Sequence, residues 1–457
     1  MEKKAAVLSD GHVGRTLLKF AAPMLGGTFA MTAFHLIDTI FVARLGTLPL
    51  AAMGFSFPVI MFVGSIARGL GMGAAAVVSK AIGSGDRERA RRVMTHALLL
   101  TASIVAAFSI VGLLTIGPLF RALGATEQLI PMISDYMSIW YVAMAFMMIP
   151  MMANSGMRAD GDTVFPSVVM IGGCGINTIL DPIMIYGWFG FPRLELAGAA
   201  LATAISRAIT LVLALYLLRR RHHLLELRIP KLHEMWTSWR QLLQIGIPTS
   251  ATNLLLPISN AVVIRIVSQF GETAVAACAA GRRIEMFAFM IPMALGISLI
   301  PFIGQNWGAG RIDRIRTARN YANRFALLWG VGCFATLFLL SGYIATFFSE
   351  DPEVIRIITL YLRILPIGYG MRELHRYTGF TFIGVGRPMS SVAINLIRIG
   401  VFLIPLAYIG SLLYGVDGVF WGTVLADAAA AAIALLWGHR LFAGMEPAKS
   451  QLRPNEE

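Results

Sequence analysis

Residues 17–45 read LLKFAAPMLGGTFAMTAFHLIDTIFVARL, an apolar stretch with an acidic residue inside it. A helix rises about 1.5 Å per residue, so about 20 apolar residues cross the hydrocarbon core of a bilayer. A carboxylate in that core costs at least about 2.5 kcal/mol, so Asp38 is predicted to face a cavity or a partner. His35 lies one turn earlier on the same helix face and is a candidate hydrogen-bond partner. The stretch therefore predicts a membrane helix that carries a functional acid.

The composition is that of a membrane protein rather than of a large soluble core. Of the 457 residues 57% are hydrophobic and only 14% are charged, against about 25% in typical soluble domains. The first apolar span is too long for a signal-peptide core and is predicted to be retained. The three cysteines have neither disulfide nor metal spacing, and no common ATPase or hydrolase motif occurs, so an enzyme is not expected.

Twelve apolar spans, separated by short polar or glycine-rich turns, predict an all-α polytopic membrane protein. The predicted spans are residues 16–44, 49–80, 93–117, 129–154, 163–188, 195–218, 241–269, 274–305, 320–346, 353–382, 390–414 and 418–439.

Basic residues fall in every second loop. Segments 80–92, 219–240 and 311–319 are rich in arginine and lysine, whereas the alternate loops are poor in basic residues and contain several acids. The positive-inside rule places both termini and the 219–240 linker in the cytoplasm, which requires an even number of spans. Topology thus explains the net charge of +13, and we expect contact with anionic membrane lipid but none with nucleic acid.

The two halves of the chain repeat each other with a constant offset of 225 positions. The matched pairs are Pro23 with Pro248, Gly46 with Gly271, Gly71 with Gly296, Gly85 with Gly310, Arg89 with Arg314, Arg91 with Arg316, Tyr136 with Tyr361, and Gly161 with Gly386. Because each half has six spans, the repeats are parallel and form two six-helix bundles related by a pseudo-two-fold axis along the membrane normal. This is the architecture of a rocking transporter, with substrate between the bundles.

The predicted domains follow from the repeat. They are an N-terminal bundle at 1–218, a cytoplasmic linker at 219–240, a C-terminal bundle at 241–440 and a cytoplasmic tail at 441–457.

Two intramembrane acids of the first half lack counterparts in the second. Asp38 corresponds to Val263, and Asp181 corresponds to Ile404. Both acids lie about 9–10 Å from the outer ends of their spans, so they share a depth. A purely architectural role would leave some trace in both halves, and the asymmetry therefore points to chemistry in the N-terminal bundle.

Neighbouring residues extend this candidate site. Asn177 lies one turn before Asp181, and Pro182 after it leaves a backbone carbonyl without its helical donor, which predicts either a polar opening or a plain kink. Two adjacent carboxylates out of water need not both be ionised, which suits proton coupling. Sodium bound by Asp38, Asn177 and Asp181 is the chemical alternative, since hard cations favour oxygen ligands.

The second half carries intramembrane arginines instead. These are Arg265, Arg282, Arg283, Arg372, Arg376 and Arg398. Glu285 and Glu373 are expected to pair with some of them, and internal ion pairs would account for about half of the set. The excess of cations predicts a bundle that can touch an anionic group, whereas Asp427 receives no role.

Methionines cluster in the fourth span, where Met147 and Met151 lie one turn apart. Flexible thioethers suit a pocket that repacks around varied apolar ligands, although ordinary core filling explains a single methionine equally well.

Taken together, these motifs resemble those of the MATE family (multidrug and toxic compound extrusion), in its prokaryotic DinF-like branch. The resemblance covers nearly the whole chain. It rests on the helix from Pro23 to Asp38, the pattern Asn177-x-x-x-Asp181-Pro182, and the stretch GQNWGAG at 304–310 after Arg283-Ile284-Glu285.

The resemblance implies export of small amphipathic drugs or toxic compounds across the cytoplasmic membrane, driven by inward proton or sodium flow and without a cofactor. It implies cation coupling by Asp38, Asn177 and Asp181. It further implies bending at Pro23 and polar support from Tyr136 and Thr203. A tyrosine that the family often has one turn before the first acid is Phe34 here.

The expected substrate cavity combines residues from both halves: Phe34, Met147, Met151, Glu285, Arg372, Glu373 and Arg376. A monomer is expected. A flippase for an anionic lipid-linked precursor remains open because of the arginines, whereas a channel or receptor agrees less well with two fused parallel repeats.

Overall fold

The computed structural model describes residues 8–226, 228 and 231–443, and within these ranges the chain is helical with no β-strand. The α-helices of the described ranges are α1 (Val13–Ala43), α2 (Thr47–Gly83), α3 (Arg87–Ala122), α4 (Ile130–Ala159), α5 (Val164–Tyr186), α6 (Glu195–Arg220), α7 (Leu232–Val267), α8 (Glu272–Gly308), α9 (Ile312–Phe348), α10 (Pro352–Ile364), α11 (Tyr369–Gly384), α12 (Pro388–Leu396) and α13 (Ile404–Ala443).

The final helical stretch contains two membrane spans. Residues Pro388–Leu441 form a run of 54 residues, about 80 Å if straight and far longer than a bilayer requires. The backbone leaves helical geometry at Tyr414 and Gly415. The arms on either side pack together, because a Cβ on Gly410 would lie 2.1 Å from the carbonyl oxygen of Gly418. With ten other long apolar helical stretches in the described ranges, this confirms the predicted twelve spans.

Several helices continue beyond the apolar spans that predicted them. Helix α3 begins at Arg87, six residues before the predicted span, because the side chain of Asp86 caps it by accepting from the N–H of Arg89 at 2.9 Å. Predicted span 353–382 is interrupted by a 3₁₀ turn at Leu365–Gly368, where Pro366 cannot donate a helical hydrogen bond. Hydropathy therefore located the membrane crossings but not the helix ends.

The internal repeat is visible in the turns between helices. Gly85 and its partner Gly310 have φ values of 81° and 68°, and Gly161 and its partner Gly386 have 93° and 82°. In each turn the N–H after the glycine bonds back five positions: Asp86 to Ala81, Arg311 to Asn306, Asp162 to Met157 and Arg387 to Phe382, at 2.8–3.0 Å. These are the same glycine-dependent helix caps at matched positions of the two halves.

The described chain divides into two compact units. Unit 1 is formed chiefly by Leu18–Ser250, and unit 2 by Gly11–Leu17 together with the chain from Ala251 onward. The division falls inside α7, whereas the predicted C-terminal bundle starts at residue 241. Of the predicted linker, residues 227, 229 and 230 lie outside the described residues, as do residues 444–457 of the predicted tail.

The first half of α7 belongs to unit 1 because it packs closely on α2 and α3. A Cβ on Gly73 would lie 3.0 Å from the backbone nitrogen of Gly246. The indole N–H of Trp239 donates to the carbonyl of His96 at 3.0 Å. The compact unit that contains most of the second half thus resumes at Ala251, ten residues after the predicted start of the C-terminal bundle at 241.

Candidate functional site

The two predicted acids of unit 1 are both buried. Asp38 on α1 is 8% exposed, and Asp181 on α5 is fully buried. Within the described residues, neither acid forms an ion pair with a basic side chain. The two carboxylates interact electrostatically with each other and with the buried hydroxyl of Tyr136 on α4. Helices α1, α4 and α5 therefore bring three titratable groups together, and no ion pair in the described ranges neutralises the two acids.

Asn177 connects Asp181 to α6. Its amide nitrogen donates to Asp181 Oδ2 at 3.1 Å, and its amide oxygen accepts from the hydroxyl of Thr203 at 3.3 Å. In the described part of the chain, Asp181 Oδ1 is buried and has no hydrogen-bond partner. An unsatisfied buried polar atom costs about 1–3 kcal/mol; a small cation would remove that deficit, and a bound proton would remove the larger cost of burying the charge.

The donor set at this site consists of oxygen atoms. The part of the chain that the structure describes holds no group of three or more His, Cys, Asp or Glu side chains arranged to hold a metal ion. Sodium at Asp38, Asn177 and Asp181 would use two carboxylates and one amide oxygen, the ligand type that hard cations favour, once the Asn177 amide turns its oxygen from Thr203 toward Asp181. The geometry suits uptake of a single proton or a single sodium ion.

His35 does not join the site. It is exposed, and no hydrogen bond links it to Asp38 among the described residues; its ring contacts that of Phe34 at 5.1 Å. On a helix with about 3.6 residues per turn, Phe34 lies about 40° from Asp38 on one side, and His35 lies about 60° from Asp38 on the other side. Phe34 is accordingly the buried neighbour, and its ring lies 5.9 Å from the guanidinium carbon of Arg207.

The remaining predicted residues of unit 1 lie in continuous helices. Helices α1 and α5 run through Pro23 and Pro182 without a break. Met147 and Met151 on α4 are half-buried and pack against the apolar core of unit 1. They therefore keep exposed side-chain surface, as a wall of a ligand site would require.

Unit 2 neutralises its acids with arginines. Glu285 on α8 pairs with Arg372 on α11. Glu373, which is fully buried, pairs with Arg376 one turn along the same helix. These pairs confirm the expectation that both glutamates engage arginines.

A third ion pair was not predicted. Arg398 contacts Asp427 at 2.6 Å, and both side chains are 5% exposed. Three of the six intramembrane arginines are thus paired, which confirms the expected proportion. Two opposite charges in apolar spans 11 and 12 were the available signal for this pair.

The four charged residues predicted for the substrate cavity do not all share one surface. Glu285 and Arg372 line a cavity in unit 2, together with Tyr361 and Tyr369. Glu373 and Arg376 are not among its lining residues. No sequence signal marked the two tyrosines as cavity residues, because tyrosine is common in apolar spans.

Comparison with known proteins gives consistent matches over both halves. The family model MatE matches residues 23–183 and 248–409, two segments that begin 225 positions apart. The chain is 39% identical to a FAD transporter of Shewanella oneidensis over 90% of its length and 91% of that protein. It is 26% identical to the probable multidrug resistance protein YoeA of Bacillus subtilis, covering 88% of each chain.

A solved structure has the same fold. A mutant of the Vibrio cholerae MATE transporter VcmN superposes with a TM-score of 0.90 at 29% identity, covering 94% of this chain and 97% of that one.

Proposed function

We propose that the chain exports FAD or a related amphipathic organic anion in exchange for protons. The premise is that the chain belongs to the MatE family of secondary transporters and is not an enzyme. Sodium is the alternative driving ion. The proposed state of the protein is a monomer in the cytoplasmic membrane of a bacterium, with both termini in the cytoplasm. It uses no cofactor, and the transported ion is its second substrate.

The proposed coupling group is the pair of acids in unit 1. The observation that carries this proposal is the buried Asp181 Oδ1, which lacks a hydrogen-bond partner in the described chain while Asn177 holds the other oxygen. A carboxylate without a cation is costly in an apolar environment, so a proton or sodium ion stabilises the packing that buries it. Loss of the ion would favour a packing that hydrates the acid.

Asp38 acts with Asp181 in this proposal. The two carboxylates are close enough to repel each other when both are charged, so an ion bound at one affects the other. Exchange requires that the bound ion change the relative free energy of two conformations by a few kcal/mol. Tyr136 and Thr203 serve as polar support for the pair.

FAD is proposed as substrate because a FAD transporter is 39% identical over nearly the full length of both chains. FAD joins flat apolar rings to a charged diphosphate, so it is amphipathic and anionic. Half-buried Met147 and Met151 supply adaptable apolar surface in unit 1. Export of varied drugs is a second candidate, since the probable multidrug resistance protein YoeA is also similar.

The coupling proposal is tested by FAD transport in proteoliposomes under an imposed proton or sodium gradient, one at a time. Asp38→Asn keeps the side-chain volume and removes the titration. It should retain substrate binding and abolish gradient-driven export, and Asp181→Asn should do the same or shift the pH optimum. Normal export by Asp38→Asn at matched protein level would rule out this coupling site.

Asp135→Asn is the matched control, because Asp135 is an exposed acid on α4 beside Tyr136. It should transport like the wild type. Fluorescent dyes replace FAD in a parallel assay, and stimulation by a lipid-linked oligosaccharide instead of FAD would favour a flippase.

The proposed topology is tested by single cysteines in a background without the half-exposed Cys333. Ser84, Thr237, Ala309 and Glu350 are all exposed. In intact cells an impermeant thiol reagent should label a cysteine at position 350 and spare the other three. Labelling at position 237 from outside would reverse the orientation.

A further inference from the structure

The cavity in unit 2 is small and has polar as well as apolar lining residues. Its volume is about 60 Å³, and residues of α7, α8, α10, α11 and α13 line it. A water molecule needs about 10–15 Å³ by this measure, so about four to six waters would fill the cavity. A phosphate group, with five heavy atoms, occupies a similar volume.

Three arginines and two acids line this cavity. The acids are already engaged: Glu285 accepts from Arg372 through one oxygen and from the hydroxyl of Tyr361 through the other, at 2.7 Å. Asp427 accepts from Arg398 at 2.6–2.7 Å. The lining therefore carries one positive charge in excess of its acids.

Arg282 carries this excess charge. Among the described residues its one hydrogen bond goes to the backbone carbonyl of Asn260 at 3.5 Å, and no acid pairs with it. A guanidinium presents five N–H donors in a planar fork that matches a phosphate oxygen pair. Most of its donor capacity is thus available to a ligand.

A second donor lies in the same cavity. Tyr369 is 2% exposed, and its hydroxyl has no hydrogen-bond partner in the described chain. A buried hydroxyl without a partner costs about 1–3 kcal/mol, so such groups normally meet a water or a ligand. Tyr369 and Arg282 would both be satisfied by a ligand that bears several acceptor oxygens.

We propose that this cavity binds a phosphate group of an anionic ligand, with Arg282 and Tyr369 as its donors; the identification of that ligand as a soluble nucleotide such as FAD rests on the proposed function. A cation does not fit, because the acids are neutralised and the remaining charge is positive. A phosphate matches the volume, the charge and the two unused donors together.

Binding to the purified full-length protein by isothermal titration calorimetry tests this site, with FAD, riboflavin and inorganic pyrophosphate as probes. Riboflavin has the same flavin ring system but no phosphate. Arg282→Gln and Tyr369→Phe should each weaken FAD and pyrophosphate binding about ten- to hundredfold, the range expected for losing a hydrogen bond to a charged group. Riboflavin binding should not change.

The matched control is Arg283→Gln, because Arg283 is the next residue on α8, is exposed and does not line the cavity. It should bind all three probes like the wild type. Equal losses in Arg283→Gln and Arg282→Gln, or unchanged FAD binding in Tyr369→Phe, would show a cavity that holds water only. Tyr369→Phe should remain at least as stable to heating, since it removes an unsatisfied hydroxyl.

The remaining measurements distinguish an error in the identity of the ligand from an error in the phosphate site itself. Pyrophosphate binding that depends on Arg282, in a protein that does not export FAD, would support the phosphate site and contradict the proposed substrate. FAD export unaffected by both variants would contradict the site alone. Displacement of FAD by dihexanoyl phosphatidic acid but not by pyrophosphate would assign the cavity to a lipid headgroup and overturn the nucleotide assignment.

Discussion

The two units share their turns but treat the buried acids of their membrane spans in opposite ways. Gly85 and Gly310 adopt the same left-handed conformation at matched positions. Yet Asp38 and Asp181 have no cationic partner in the described part of unit 1, whereas Glu285, Glu373 and Asp427 of unit 2 each pair with an arginine. The comparison teaches that a repeated backbone does not require repeated chemistry.

The physical reason is that the glycine turns depend on backbone atoms, whereas the buried acids depend on side-chain atoms. A glycine cap needs only a backbone conformation and two hydrogen bonds, so both copies can keep it without reference to ligand. A buried acid is either neutralised within the protein, which makes it structural, or left to an exchangeable ion, which makes it responsive. Within the membrane spans described by the structure, the two acids of unit 1 lack a cationic partner, and the acids of unit 2 at Glu285, Glu373 and Asp427 have one.

The sharpest test compares Asp427→Asn with Asp181→Asn. Asp427→Asn leaves Arg398 buried without its counter-charge and should destabilise the protein by about 3–5 kcal/mol. Asp181→Asn removes an acid that has no cation, so its stability should stay within about 1 kcal/mol of the wild type. Unfolding in detergent measures both.

The double variant Arg398→Met with Asp427→Leu is the control for this pair, since it removes both charges and keeps the volume. It should recover most of the lost stability. Equal destabilisation by Asp427→Asn and Asp181→Asn would contradict the distinction between the paired acids of unit 2 and the unpaired acids of unit 1.

Asp160→Asn tests a buried acid of unit 1 that, unlike Asp38 and Asp181, is paired within the protein. Asp160 follows α4, where Arg87 donates to it at 2.7 Å and His222 contacts it at 2.8 Å. Its replacement should cost about 1–3 kcal/mol, because the amide keeps only one acceptor oxygen for the two contacts and carries no charge for Arg87. Export of FAD, measured at matched protein level, should retain its response to the proton gradient.

Glu127→Gln is the exposed control for Asp160→Asn. The side chain of Glu127 is 74% exposed beside Arg121, so its ion pair is screened by solvent. Unchanged thermal stability is expected; a loss as large as that of Asp160→Asn would contradict the assignment of the effect to burial.

The smallest expected effect concerns the glycine turns that the two units share. Gly85→Ala and Gly310→Ala should each cost about 1 kcal/mol, because a left-handed backbone is strained for a residue with a Cβ. Neither added Cβ would meet an atom within 4 Å, so the whole effect is conformational. Thermal shifts that differ strongly between the two variants would show that the matched turns are not equivalent.

Much of the fold was predictable because it depends on local properties. The twelve apolar spans and the register of the repeat can be predicted from the order of residues along the chain. Matched turns such as those at Gly161 and Gly386 confirm the register. Helix ends were less predictable, since a cap such as Asp86 extends α3 past the apolar window. The unit boundary was not predictable, because it depends on the packing of α7 against α2.

For the candidate site, position in sequence was informative only within one helix. The burial of Asp38 and Asp181 agrees with the cost of charge in apolar spans. The same helical spacing made His35 a candidate partner for Asp38, but His35 lies about 100° around the helix from Phe34, so the face that buries Phe34 leaves His35 exposed.

The order of residues alone predicted that this protein crosses a membrane in twelve helical spans, repeats its six-span half, and places intramembrane arginines mainly in the second half. Only the tertiary structure decided which charges meet. Glu285 and Arg372 are 87 positions apart, and Arg398 and Asp427 are 29 apart on different arms of a helical hairpin. Hydropathy and periodicity are local sums along the chain, whereas an ion pair requires two distant side chains to converge, and packing between helices alone sets that distance.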